Sequence, residues 1–86
     1  MKIFVVHVYD NANKLHDYYV HQAIETAVRH AATDVVSARF EDADPDFFDA
    51  ELARVIGASY KERICGRQHV WCDAWRAHID EMQVLG

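Results

Sequence analysis

Residues 63–78, RICGRQHVWCDAWRAH, set two cysteines, two histidines and two tryptophans within sixteen positions. Their periodicity decides what the last third of the chain becomes. Read as a helix, Ile64, Cys65, Gln68, Trp71, Cys72, Trp75, His78, Ile79 and Met82 share one broad face. The preceding SYKE places Ser59 and Glu62 at capping-box spacing, which supplies a start near Tyr60. Only Gly66 weakens the run to Leu85, by about 1 kcal/mol relative to alanine. The expectation is a third helix of roughly 25 residues and about 37 Å, either broken at Gly66 or projecting towards a partner.

The same reading governs the thiols. Cys65, His69 and Cys72 stand at i, i+4 and i+7, and with His78 they superficially suggest a zinc site. Seven residues of helix advance about 10.5 Å, whereas zinc holds each thiolate at about 2.3 Å. That separation also excludes a disulfide. The cysteines therefore read as small apolar residues of a packing face, and no cofactor is expected. A small metal-binding enzyme using Cys65, His69 and Cys72 is an alternative, open if the chain folds back at Gly66.

Upstream, IFVVHVY (residues 3–9) is rich in strand formers and ends in the turn-forming DNAN. From Asn13, a candidate N-cap, a helix of about five turns would align Val20, Ala23, Ile24, Ala27, Val28 and Ala31. TDVVSARFED then alternates, with Val36, Ala38 and Phe40 opposite Val35, Ser37 and Arg39, which suits a second strand. Asp44 caps a second helix that begins at Pro45, presents Phe48, Leu52, Val55 and Ile56 on one face, and ends at Gly57. The expected fold is a small two-layer α/β or α+β domain spanning residues 1–86. Its order would be β-α-β-α-α, with a two-stranded sheet extended by dimerisation. Strand 1 is apolar on both sides, and a helix covers only one of them, so the other needs a lid. His7, Tyr9, Tyr18, Tyr19, Trp71 and Trp75 are the candidate dimer-interface residues.

Charge narrows the function. The formal net charge is −5, which disfavours direct nucleic-acid binding because that affinity rests on Lys and Arg displacing counterions. The apolar run at the start is too short for a membrane span or a signal peptide, so a reducing cytoplasm with free thiols is the default. Glycine occurs only at positions 57, 66 and 86, which leaves no phosphate-cradling loop. Ser37 and Ser59 lie in no nucleophile elbow. His21 with Glu25 at i+4 would form a solvated pair on the first helix.

EDADPDFFDAE, residues 41–51, carries six carboxylates and no base: Glu41, Asp42, Asp44, Asp46, Asp49 and Glu51. Asp42, Asp44 and Asp46 imitate the opening of an EF-hand loop. Phe47 then stands where the turn glycine belongs and Ala53 where the bidentate glutamate belongs, which disfavours calcium by that mechanism. Asp44, Asp46 and Asp49 suit the positive end of a helix. The six together suit a partner with a basic surface, and this is the expected partner-binding site. The functional expectation is a small acidic, non-enzymatic inhibitor or adaptor. Phage-encoded inhibitors of host defence that occupy nucleic-acid sites are the class analogy, one without a residue match. A structural homodimer subunit is the other alternative.

Overall fold

The β-branched and aromatic residues at the amino terminus form strand β1 (Lys2–Tyr9) as their composition requires. The computed structural model describes residues 1–10, 12–61, 63–64 and 67–85. After β1 come β2 (Leu15–His21), α1 (Ile24–Arg39), α2 (Pro45–Lys61), the two-residue β3 (Arg63–Ile64), β4 (Arg67–Cys72) and β5 (Trp75–Gln83). The strands make one sheet in the order β2-β1-β5-β4-β3, with every pairing antiparallel. The first and last long strands are thus neighbours, and the Val84 N–H donates to the Met1 carbonyl at 2.8 Å. This is an α+β arrangement, and it corrects the expected order β-α-β-α-α and its two-stranded sheet at three places.

The segment after DNAN is a strand, not the start of a helix. Asp10 Oδ1 accepts from the N–H groups of Ala12 at 2.8 Å and Lys14 at 3.0 Å, and the Asp10 N–H donates to the Lys14 carbonyl at 3.0 Å. Asn13, expected as an N-cap, sits at φ 64°, the left-handed residue that closes a short hairpin. Tyr18, Tyr19 and Val20 are strand formers and pair with His7, Val6 and Val5.

The second correction falls on the expected strand near residues 34–41. α1 continues through it to Arg39. Ala27, Ala31 and Val35 form one i, i+4 row and Val28, Ala32 and Val36 another, all fully buried. Burying valine offsets its weak helix preference, since each such side chain contributes about 1.5–3 kcal/mol.

The third expected helix is a β-hairpin, the largest correction. Cys72 pairs with Trp75, and Asp73 at φ 53° takes the positive dihedral that a two-residue turn needs at its first central position. Glu62, Cys65 and Gly66, on which the helix start and break depended, lie outside the described residues. Ser59, expected as a cap, is buried within α2 and donates to the Ile56 carbonyl at 2.7 Å.

The start of α2 is as expected. Pro45 is its first residue, Asp44 Oδ1 accepts from the Asp46 N–H at 2.8 Å, and the Asp44 carbonyl accepts from the Phe48 N–H at 2.8 Å. Its end is not, because Gly57 is interior to a helix that reaches Lys61. A Cβ added at Gly57 meets nothing within 4 Å. Gly57→Ala is therefore expected to stabilise the protein by about 1 kcal/mol in urea melts. A glycine ending the helix in the left-handed conformation would give the opposite sign.

Both helices lie on one face of the sheet. Val6 and Val8 of β1, Ala77 and Ile79 of β5, and Val70 and Cys72 of β4 point at the valines and alanines of α1 and at Val55 of α2. Alternation sends their neighbours to the opposite face, which no element among the described residues covers. Among the described residues, no helix is long and apolar enough to cross a membrane.

Candidate functional site

The acidic run lies at the α1–α2 junction and along the first turns of α2. Glu41, Asp42, Asp44, Asp46 and Asp49 are exposed, and no ion pair reaches them among the described residues. Glu51 departs from this group, being half-buried and bound by the guanidinium of Arg54, whose Nε donates at 2.6 Å. Phe47 stands among the free carboxylates, 47% exposed, with its ring edge-on to Phe40 at 5.1 Å. The sequence reading missed Phe47. The signal that would have found it is an aromatic residue outside the apolar stripe of α2.

Glu41 also belongs to a cleft of about 470 Å³ between β2 and α1, where Asp17, Asp34, His16 and Trp75 line the walls. His16 meets Trp75 edge to face at 5.3 Å. Burial holds the Asp34 carboxyl above its ordinary range, against the lowering influence of His30 and Tyr19, and Asp17 adds to the rise. Burial, reinforced by Asp34, likewise pushes the Tyr19 hydroxyl up. Among the described residues, neither the Tyr19 Oη nor the Asp34 Oδ2 makes a hydrogen bond of good geometry, although both atoms are buried. Beside them His21 Nε2 and His30 Nδ1 share a hydrogen bond at 2.8 Å, and Tyr19 stacks on His30 at 3.6 Å. The helical i, i+4 spacing expected of His21 and Glu25 is lost, since His21 ends β2 and Glu25 lies in α1, and His21 faces His30 across the β2–α1 packing instead.

The candidate interface residues divide between the two sheet faces. His7, Tyr9, Tyr18 and Trp71 lie on the uncovered face, whereas Tyr19 and Trp75 lie under the helices. On the uncovered face the pairing register aligns Tyr18, His7, His78 and His69 in one row across four strands. Tyr18 and His7 meet at 5.1 Å, and His78 and His69 at 4.6 Å. Asp80 accepts from Arg67 Nε at 2.7 Å and lies 3.8 Å from His7 Nδ1. Burial pushes His78 below the ordinary histidine range, and neighbouring His69, Arg67 and Arg76 add to the shift.

The thiol and imidazole of the metal alternative do not meet. Cys72 points into the core, 2% exposed, and His69 lies on the opposite face of β4. Cys65 lies outside the described residues. Burial, with Glu51 and Asp73 nearby, raises the Cys72 thiol, which disfavours the thiolate that metal binding and nucleophilic attack both need. Among the described residues, no group of three or more histidine, cysteine or acidic side chains is arranged to hold a metal ion.

No family model, curated protein or solved structure matches the chain.

Proposed function

We propose that the protein is a small acidic binding module, an inhibitor or adaptor, that docks residues 41–49 against a basic surface of another protein. The observation that carries this reading is the company Phe47 keeps: an exposed aromatic ring among five exposed carboxylates that have no counter-ion among the described residues. Aromatic anchors surrounded by polar groups are how protein interfaces concentrate their affinity, and unpaired charge steers the encounter. The cleft behind Glu41 extends the negative surface through Asp17 and Asp34 and offers a concave place for a basic side chain. A surface that ordinarily binds nucleic acid has the matching charge, so occupying it would exclude the nucleic acid. The setting proposed is the cytoplasm, where a buried free thiol such as Cys72 needs no partner.

The test is a triple reversal, Glu41→Lys, Asp42→Lys and Asp49→Lys, which leaves the Asp44 cap in place. Capture of the partner from the native host should weaken by about a hundredfold or more, because like charges set face to face cost several kcal/mol. Far-UV circular dichroism and melting temperature should stay near wild type. Unchanged capture by a folded variant would overturn the reading.

A further inference from the structure

The uncovered sheet face is the largest feature that the acidic surface leaves unexplained. Tyr18 and Val20 of β2, Trp71 of β4 and Met82 of β5 lie on it, between 38% and 55% exposed. Val5, at its centre, is 4% exposed and lies outside the core cluster built around the helices. His7, His78 and His69, with Asp80, Arg67 and Arg76, run between these groups, and exposed apolar side chains gathered on one face of a folded chain mark a contact site.

We propose that a second copy of this chain covers this face, the two sheets packing against each other about a twofold axis. Charge selects that occupant. The chain carries −5 overall, yet the carboxylates of residues 41–49 stand on the helix layer. On the open face, Asp80 is paired with Arg67, and Arg76 is bound to Asn13. Sheets stack about 10 Å apart, and a helix layer beyond each sheet adds about as much again. The two acidic surfaces would then be about 30 Å apart, more than three Debye lengths at physiological salt. Any contact through the helix layers brings like charges together instead. The twofold axis is also what a near-neutral face requires to be its own partner.

The area is adequate. β1 and β5, at eight and nine residues, give a length of about 28 Å, and four strands a width of about 19 Å. Side-chain relief raises this flat footprint of about 530 Å² towards the about 800 Å² per partner of an ordinary stable interface. Single-stranded nucleic acid also stacks on sheet aromatics, but Arg67 is already neutralised by Asp80, and Arg76, whose partner Asn13 is uncharged, would alone give little counterion release.

Sedimentation equilibrium of the full chain at neutral pH, from micromolar to sub-millimolar concentration, tests this directly. The expected mass rises with concentration to twice 9.9 kDa, and association holds or tightens in high salt. Val20→Lys and Trp71→Arg should each weaken it by about tenfold or more, while Phe47→Lys on the helix layer leaves it unchanged. Circular dichroism of dilute samples checks that each variant folds; Val20 stands on an edge strand, so that variant decides the matter should Trp71→Arg unfold. A 9.9 kDa mass throughout, or association untouched by both face variants, would overturn the proposal. So would a monomer that binds a single-stranded oligonucleotide and loses it, along with its salt sensitivity, in Trp71→Arg.

Discussion

Thr33→Pro is expected to lower stability by about 3 kcal/mol or more, whereas Thr33→Ala leaves it within about 0.5 kcal/mol. Thr33 lies inside α1, where its hydroxyl donates to the Arg29 carbonyl at 2.7 Å and its backbone N–H belongs to the helical ladder. Proline there removes that N–H and drives its ring into the Arg29 carbonyl. For a domain of this size the melting temperature should fall by about 12 °C or more. If the chain turned from helix to strand near this point, as the alternation of residues 35–40 suggests, proline would sit in a connection and be tolerated. A thermal melt separates the two readings.

The tryptophans give the second large effect. In a helix, Trp71 and Trp75 would stand one turn apart on the same face and respond alike to truncation. In the hairpin, the two-residue turn at Asp73 and Ala74 sets Trp71 opposite Arg76 and Cys72 opposite Trp75, so the two rings point to opposite faces. Trp75 packs against the helix-covered core and against His16. Trp75→Ala should cost about 2–3 kcal/mol, somewhat below the loss for a fully buried ring. Trp71→Ala, measured on dilute protein, should cost under about 1 kcal/mol. Equal losses in urea melts would contradict the hairpin.

What the sequence discloses and conceals follows from the same periodicities. β1 is legible because six strand formers stand within the seven residues 3–9, and the start of α2 because the Asp44 cap and the fixed φ of Pro45 act locally. The hairpins are hidden because their turns use Asn13 and Asp73 at positive φ where glycine would have announced them. Spacings of four residues compound the difficulty, since i and i+4 share a face in a helix and in a strand alike. Val35 and Val36 mislead differently: their alternation with Ala38 and Phe40 imitates a strand, while their real partners are Ala31 and Ala32 one turn back.

The candidate surfaces were legible to the extent that they are local. Residues 41–49 form one exposed acidic stretch because they are contiguous, and Glu51 leaves it because Arg54 is one turn away. The two-sided apolar pattern of β1 is likewise local, and the helices cover one of its two sides. The His21–His30 contact and the Asp34 cleft depend on β2 crossing α1. No local pattern reports a crossing, so these could only be found in three dimensions.

Occupation of a basic surface by the carboxylates of residues 41–49 is what the proposed function rests on, and competition on the captured partner probes it without intermediaries. The partner's nucleic-acid binding is measured with increasing wild-type protein and then with the Glu41, Asp42, Asp49 triple reversal. Displacement by the wild type that weakens as salt rises is expected, and none by the folded variant at the same concentrations. A ternary complex in which the partner holds nucleic acid and this protein together with undiminished affinity would contradict it.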